Sequence, residues 1–282
     1  MTEAVDGRIT SVTRQRNRPG ASPTQSDRAD LSHLRLLLAE DHPTNRRLCE
    51  LVLESFGLRA DIANNGQEVL HRVGQLHYDI ILMDCHMPKM DGYKATHAIR
   101  ELEKASPDAP HSYIIALTAN ALTGERERCL AAGMDDYITK PFTVALLEQA
   151  LARSRKFSPT TKKTPQTIPA SETLLFEAGR LDQLCHDLED EGVCAIVRDF
   201  LSEWPMESAN LQRLAEAGEW EEFANHAHAL CGLTAALGLG KLQAKLRETE
   251  TAARLGQGES ARATLPAIAS IAEESQAVIQ SW

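Results

Sequence analysis

The sequence predicts an α/β domain followed by an all-α domain. Two observations support this prediction. Short apolar runs alternate with amphipathic segments over residues 34–153, whereas only helix-like periodicity is found over 174–282. Residues 154–173 between them are rich in Pro, Thr and Lys, a composition typical of a flexible linker. Residues 1–33 are polar and lack apolar periodicity, which predicts a disordered leader.

The first region alternates predicted strands with predicted helices. Five apolar runs are predicted to be strands: residues 34–39, 58–63, 78–83, 113–118 and 136–139. Five amphipathic segments follow them and are predicted to be helices: residues 43–56, 65–75, 93–105, 121–132 and 143–153. Pro43 suits the first turn of a helix, where its missing N–H is not needed. Five successive strand–helix units predict a parallel sheet covered by helices on both faces.

The second region shows no strand signal, and residues 179–282 are predicted to form successive helices that pack as a bundle. Pro205 is predicted to start one of these helices, because proline is tolerated in the first turn. Gly218, Gly238 and the Gly-Gln-Gly at 256–258 are predicted to separate the others.

Charge and composition exclude several classes of protein. The formal net charge is -10, and the residues from 174 onward hold 18 acidic and 8 basic side chains, which argues against nucleic-acid binding by this region. No apolar run approaches the roughly 18 residues of a membrane span, and no signal peptide is visible, so the sequence predicts a cytoplasmic protein. The six cysteines form no CxxC pair and are predicted to be reduced thiols: Cys49, Cys85, Cys129, Cys185, Cys194 and Cys231.

Polar residues stand at the carboxyl ends of four predicted strands, the edge where open parallel sheets bind ligands. Glu40 and Asp41 follow the first strand, and Asp84 follows the third. Thr118 ends the fourth strand and Lys140 follows the fifth. Three converging carboxylates predict a bound cation, and hard oxygen ligands favour Mg²⁺. A lysine and a hydroxyl beside it would hold phosphoryl oxygens, while one carboxylate would accept the phosphoryl group as an aspartyl phosphate.

The segments MDCHMPKMDG, ALTAN and ITKPF carry these residues, and together they resemble the receiver domain of two-component response regulators over residues 34–153. The resemblance implies a flavodoxin-like (βα)5 fold and phosphorylation of Asp84. It also implies Mg²⁺ binding by Asp41, Asp84 and the backbone carbonyl of His86, with Glu40 completing the acidic pair.

The same resemblance implies further roles at the predicted site. Asp41, Thr118 and Lys140 take catalytic roles, because the last two match the positions that contact phosphate. Thr118 and Tyr137 match the pair that switches on phosphorylation. Alone, each residue has an ordinary structural explanation, such as a helix cap or a solvated side chain. Their order along five strand–helix units favours the site.

The stretch NHAHALCGLTAALG, residues 225–238, raises the question of which histidine is functional. If this stretch is a helix with 100° per residue, five mostly apolar residues lie on one face: Phe223, Ala227, Leu230, Thr234 and Leu237. His226 lies at the edge of this face and is predicted to be a core-edge histidine with a backbone partner. His228 lies on the opposite side among small residues, so it is predicted to be exposed and open to close approach by a partner.

The motif AHALCGLTAALG resembles that of histidine-containing phosphotransfer (HPt) domains, usually AHxLKG followed by small residues and Leu-Gly. The resemblance covers residues 174–282 and implies a four-helix bundle with His228 as the phosphorylated histidine. Cys231 and Gly232 would lie on the surface around it. Cys231 departs from the pattern, because lysine is usual at that position.

Together these features predict a phosphorelay protein. A sensor histidine kinase would phosphorylate Asp84, and His228 would pass the group to or from another response regulator. No kinase ATP-binding segment is found in the sequence, so the chain is not expected to be a stand-alone enzyme. The predicted linker of 20 residues has a root-mean-square span of roughly 25 Å, which allows transfer within one chain.

Two alternatives compete with this interpretation. In the first, phosphorylation switches an adaptor whose helical domain only docks a partner. In the second, the protein is a phosphohydrolase of the haloacid dehalogenase type. That type would need a second Asp two residues after Asp84, where this sequence has His86.

Overall fold

The computed structural model describes residues 34–106, 110–118, 125–140, 144–155, 178–188 and 190–281. The predicted leader and nearly all of the predicted linker lie outside these ranges. Within them, the first region is a parallel sheet with helices and the second region is entirely helical, as predicted. No helix in the described ranges has both the length and the apolar character needed to cross a membrane.

Five parallel strands form one sheet: β1 (Leu36–Ala39), β2 (Ala60–Ala63), β3 (Ile80–Asp84), β4 (Tyr113–Thr118) and β5 (Asp136–Thr139). Their order is β2-β1-β3-β4-β5, the flavodoxin-like order. Strands β1, β3 and β4 are buried throughout, which explains why each is a continuous apolar run. Ala39 pairs with Met83, so the carboxyl ends of β1 and β3 lie side by side. The chain order reverses between these two strands, at the point where such sheets bind ligands.

In the ranges that the structure describes, five helices accompany the sheet: α1 (Pro43–Ser55), α2 (Gly66–Val73), α3 (Gly92–Ala105), α4 (Glu125–Ala132) and α5 (Val144–Arg155). Asn65 and Asp91 cap α2 and α3, because each side chain accepts a backbone N–H of the first turn. Residues 121–124 of the predicted fourth helix lie outside the described ranges. Helix α5 extends two residues into the predicted linker, because the Ser154 hydroxyl donates to the carbonyl of Leu151 and does not interrupt the helix.

Arg100 of α3 connects the helix layer to the strands that follow. Its guanidinium donates to the carbonyls of Gly133 and Ser112, at 2.8 and 3.0 Å, and pairs with Asp135 at 2.6 Å. Asp135 in turn accepts the N–H of Ile114 in β4. This half-buried network fixes the entry to β4 and β5, and therefore the positions of the residues at their far ends.

The described residues of the second region form six helices: α6 (Ala178–Asp187), α7 (Asp190–Ala217), α8 (Trp220–Ala236), α9 (Gly240–Arg254), α10 (Gly258–Ala263) and α11 (Leu265–Ser281). The four long helices close a ring, since α8 packs on α7 and α9, and α11 contacts both α7 and α9. This is a four-helix bundle. The predicted apolar face of α8 is fully buried in it: Phe223, Ala227, Leu230, Thr234 and Leu237.

The helix boundaries correct one prediction and confirm another. Pro205 does not start a helix but lies inside α7, so that prediction was wrong. The proline ring is exposed and costs one backbone hydrogen bond, while the buried side chains of Trp204 and Leu211 hold the helix against the bundle. Gly218 and Gly238 follow α7 and α8 with positive φ angles of 71° and 72°, as their predicted role of separating helices requires.

Gly258 at the start of α10 allows close packing against an indole. A Cβ at this position would lie 2.2 Å from Cε2 of Trp220. We expect Gly258→Ala to lower the free energy of unfolding by about 1–3 kcal/mol, because the half-buried indole of Trp220 must shift. Urea denaturation followed by tryptophan fluorescence measures this change.

Gly179→Ala is the matched control. A Cβ at Gly179, which is exposed in α6, meets nothing within 4 Å. This substitution should leave stability unchanged or raise it by up to about 1 kcal/mol. Equal losses for the two variants would contradict the packing argument.

Candidate functional site

Three carboxylates meet at the carboxyl edge of the sheet. Glu40 and Asp41 lie directly after β1, and Asp84 is the last residue of β3. The carboxylate oxygens of the three residues lie within 4.8 Å of one another. Glu40 and Asp84 are buried and Asp41 is half-buried. The paired ends of two neighbouring strands therefore bring together the acidic residues that the sequence singles out.

Lys140, directly after β5, inserts its ammonium among these carboxylates. Its Nζ lies 2.5 Å from Oε2 of Glu40 and 2.6 Å from Oδ2 of Asp84. The backbone N–H of Lys140 donates to the carbonyl of Thr118 at 2.5 Å, which ties the end of β5 to the end of β4. Thr118 is itself buried at this edge. All five residues predicted at the strand ends thus lie at one place.

The cluster has more acidic than basic groups, because Glu40, Asp41 and Asp84 lie around the single ammonium of Lys140. Burial raises the pKa of Glu40 to about 7. Burial, followed by the charge of Asp84, raises the pKa of Asp41 to about 7. Burial would also raise the pKa of Asp84, but Lys140, the charge of His228 and the backbone N–H of His86 together outweigh it and hold that pKa below its ordinary value. One lysine faces three carboxyl groups, so the cluster favours an additional cation.

His86 and Tyr137 are the two remaining residues predicted for this site. The backbone N–H of His86 donates to Oδ1 of Asp84 at 3.0 Å, and its ring packs edge-on against Tyr93. The metal-ligand role of its carbonyl stays a prediction. Tyr137 is half-buried in β5 and packs against the core of the sheet domain. Its role as a switch residue also stays a prediction.

His228 lies in α8 and is buried, so the prediction that it is exposed was wrong. Only 4% of the residue is accessible. The side of α8 that carries His228 faces the carboxyl edge of the sheet. Nε2 of His228 lies 4.0 Å from Oδ1 of Asp84. The imidazole also packs edge-on against His86, with the ring centroids 4.6 Å apart.

The opposite nitrogen of His228 is fixed by α9. Nδ1 lies 2.9 Å from Oε1 of Glu250, which also accepts from Nε of Arg254 at 2.9 Å. An ionised carboxylate can only accept, so Nδ1 carries the proton and a neutral ring keeps its lone pair on Nε2. No group in the described part of the chain hydrogen-bonds to Nε2. The nitrogen that faces Asp84 is therefore free to act as a nucleophile.

Glu250 also controls the charge of this imidazole. Burial lowers the pKa of His228, but the charge and hydrogen bond of Glu250 together with the charge of Asp84 outweigh it, so the net effect is a raised pKa. Burial would raise the pKa of Glu250, but the charge and hydrogen bond of His228 hold it at about 2. The carboxylate therefore stays ionised and stabilises positive charge on the ring.

Helix α1 makes the contacts that hold the bundle against the sheet domain. Nδ2 of Asn45 donates to the carbonyl of Ala229 at 3.0 Å. A Cβ at Gly232 would lie 3.2 Å from the same Nδ2, so the glycine permits this approach. The Thr44 hydroxyl donates to Oε2 of Glu203 in α7 at 2.8 Å. The docking contact therefore includes hydrogen bonds from the first turn of α1.

His226 and Cys231 clarify the other predictions for α8. His226 is half-buried, and its Nε2 lies 3.2 Å from the backbone carbonyl of Glu207, which confirms the predicted backbone partner. The Glu207 carboxylate lies 2.9 Å from the same nitrogen. The prediction that Cys231 lies on the surface was wrong. The residue is buried, and its thiol donates to the carbonyl of Gln243 in α9.

Sequence reasoning missed Glu250, Arg254 and Asn45. The spacing of Glu250 and Arg254, four residues apart, is a readable signal of an ion pair on one helix face. Their contact with His228 depends on how α8 and α9 fold against each other, which the sequence pattern does not give. No sequence pattern marks Asn45, because its hydrogen-bond partner, the carbonyl of Ala229, lies in the other region of the chain.

Comparison with known families matches both regions. Residues 36–152 match the response regulator receiver domain, and residues 195–280 match the Hpt domain. The sensor histidine kinase RcsC of Escherichia coli K12 is 37% identical over 150 residues, which cover 52% of this chain and 15% of the kinase. The sensor histidine kinase GacS of Pseudomonas protegens is 31% identical over 253 residues, which cover 85% of this chain and 26% of the kinase.

Among solved structures, the chain is similar to the receiver domain of sensor histidine kinase PA1611 from Pseudomonas aeruginosa PAO1, determined with a magnesium ion coordinated in its active site cleft. The two are 44% identical, with a TM-score of 0.40, over 44% of this chain and 98% of that one. The chain spans about a quarter or less of the two curated kinases.

The family matches fall on the two regions that the sequence assigns to a receiver and a phosphotransfer domain, and the sheet order and helical bundle agree with them. The chain therefore contains a response regulator receiver domain followed by an Hpt domain, the combination of a phosphorelay signalling protein.

Proposed function

We propose that this chain relays a phosphoryl group between Asp84 and His228 of the same molecule. The observation that carries the proposal is the free Nε2 of His228, which lies 4.0 Å from Oδ1 of Asp84 in a buried site. This separation leaves space for one phosphorus atom between the oxygen and the nitrogen. Such an arrangement is that of an in-line transfer.

The transfer balances with groups present in the chain. The bond between phosphorus and the Asp84 oxygen breaks, and its electron pair returns to the carboxylate. The lone pair of His228 Nε2 forms the new phosphorus–nitrogen bond. Nδ1 keeps its proton, and the Glu250 carboxylate at 2.9 Å offsets the positive charge that develops on the ring. The reverse step uses the same atoms.

The remaining residues of the edge would hold the phosphoryl group and a cation. We assign Lys140 and Thr118 to the phosphoryl oxygens, because both lie at the strand ends beside Asp84. We assign the Mg²⁺ site to a set of oxygen donors: Glu40, Asp41, Asp84 and the backbone carbonyl of His86. The three carboxylates fit such a cation, since they are hard donors within 4.8 Å of one another. When bound, Mg²⁺ supplies charge neutralisation to the carboxylates and the phosphoryl oxygens.

We further propose that Thr118 and Tyr137 form the switch of the receiver domain, with Asp41 as part of its catalytic set. Support comes from the burial of Thr118 beside Lys140 and from the half-buried position of Tyr137 in β5. The predicted domain limits, 34–153 and 174–282, and the linker between them remain part of this proposal.

The partners would be a sensor histidine kinase that phosphorylates Asp84 and a second response regulator that exchanges with His228. The similarity to sensor histidine kinases supports the first partner. We also propose a cytoplasmic location, because Cys85 and Cys129 form no disulfide although their sulfur atoms lie 3.8 Å apart.

The two alternative functions are less well supported. An adaptor whose helical domain only docks a partner has no need for an imidazole that presents a free nitrogen to Asp84. A phosphohydrolase of the haloacid dehalogenase type needs a carboxylate two residues after its nucleophile, and His86 stands there.

A phosphate-tracing assay tests the relay. Phosphorylated histidine kinase and Mg²⁺ are supplied to the intact chain, to Asp84→Asn and to His228→Gln. We expect acid-labile, alkali-stable phosphohistidine only in the intact chain, because each substitution removes one acceptor. His226→Gln is the matched control on the same helix and should retain the label.

The same assay distinguishes transfer within one chain from transfer between chains. A mixture of Asp84→Asn and His228→Gln can form phosphohistidine only between molecules, at a rate that falls on dilution. The intact chain should transfer at a rate independent of dilution. Label that stops at Asp84 in the intact chain, with no effect of His228→Gln, would contradict the relay.

Mg²⁺ should stabilise the folded chain. At about a hundredfold excess over its dissociation constant, a ligand that binds only the folded state adds about 2.7 kcal/mol to the free energy of unfolding. Thermal unfolding with Mg²⁺ and with EDTA measures this gain. Asp41→Asn should lose most of it, whereas Glu101→Gln, an exposed carboxylate in α3, should keep it. The proposed metal site is wrong if Asp41→Asn gains as much as the intact chain.

A further inference from the structure

The docked domains bury both phosphoacceptors against each other. Asp84 is 2% and His228 4% exposed. The imidazole is enclosed on one side by Glu250 of its own bundle and on the other by Asp84 and His86 of the receiver domain. The atoms that must meet an outside donor or acceptor are therefore covered by the chain itself.

The cover is made by groups that can separate. Thr44 donates to Glu203, and Asn45 donates to the carbonyl of Ala229. Nε2 of His42, the residue before α1, lies 3.8 Å from Oε1 of Glu207 in α7. Hydrogen bonds of this kind exchange readily for bonds to water, so opening leaves few polar groups without partners.

A kinase that phosphorylates Asp84 would bring its own phosphohistidine to the place that His228 occupies. A second receiver that exchanges with His228 would bring its aspartate to the place that Asp84 occupies. Both outside partners therefore need surfaces that the two domains of this chain cover.

We infer that the chain alternates between a closed form, in which Asp84 and His228 exchange phosphate with each other, and an open form that alone exchanges phosphate with other proteins. The partner that competes for the α8 surface is a second receiver domain, because that surface fits the carboxyl edge of a receiver sheet. The exchange of phosphate in each form rests on the proposed function. The existence of the closed form rests only on the burial of Asp84 and His228.

The test perturbs the contact between Thr44 and Glu203. Thr44→Glu places a carboxylate opposite Glu203 and should open the domains by repulsion, while an acidic residue suits the first turn of α1. The double variant Thr44→Glu, Glu203→Lys restores an attractive pair at the same place. It is the matched control, because it keeps the first substitution and should close the domains again.

Chemical accessibility of His228 gives the first readout. Diethyl pyrocarbonate modifies free imidazole nitrogens, and mass spectrometry of peptides reports each histidine. With a minor open population, His228 of the intact chain should react at least about tenfold more slowly than the exposed His97 and His186. Thr44→Glu should bring its rate close to theirs, and the double variant should slow it again. Fast modification in the intact chain, or equal rates in all three proteins, would overturn the closed form.

Exchange with an outside receiver gives the second readout. When a phosphorylated receiver from another protein is the donor, labelling of His228 should be faster in Thr44→Glu than in the intact chain, and slow in the double variant. Equal labelling rates would overturn the competition. Protection of His228 without any labelling would refute the proposed function and leave the closed form standing, so the two failures are distinguishable.

Discussion

The buried ion pairs of Lys140 are the interaction on which the rest of the site depends. Its ammonium lies between Glu40 and Asp84, and so joins the ends of three strands, β1, β3 and β5. Without it, the clustered acidic side chains would repel one another in a region closed to water. The sheet brings the carboxylates of Glu40 and Asp84 together, and the Lys140 ammonium offsets the repulsion between them. The Asp84 carboxylate is therefore held in place before any partner or cation arrives.

Much of the fold could be predicted because buried parallel strands are apolar along their whole length. Strands β1, β3 and β4 are such runs. Open parallel sheets bind ligands at the carboxyl ends of their strands, and this rule correctly predicted that Glu40, Asp84 and Lys140 lie close together. The helix boundaries were predicted less well, because Pro205 lies inside α7 and is held there by packing that local preference does not reveal.

The environment of His228 could not be predicted from the sequence. Helical periodicity gives the side of α8 on which the imidazole lies, but it does not say what covers that side. The cover comes from residues nearly two hundred positions earlier, such as Asn45, which contacts Ala229. No sequence pattern indicates the contact between His228 and Glu250 of α9 either, because it depends on how the two helices pack against each other. Both features concern contacts between elements, which the periodicity of a single helix does not give.

In the proposed relay, the presence of Asp84 and His228 in one polypeptide makes their docking a unimolecular equilibrium. The fraction of chains in which Asp84 faces His228 then does not depend on how many copies a cell makes. A tethered domain acts at an effective concentration of millimolar order, so a foreign regulator present at micromolar levels competes poorly for the same histidine. In the proposed relay, the tether would therefore reduce crosstalk with other regulators and make transfer between Asp84 and His228 insensitive to the level of expression.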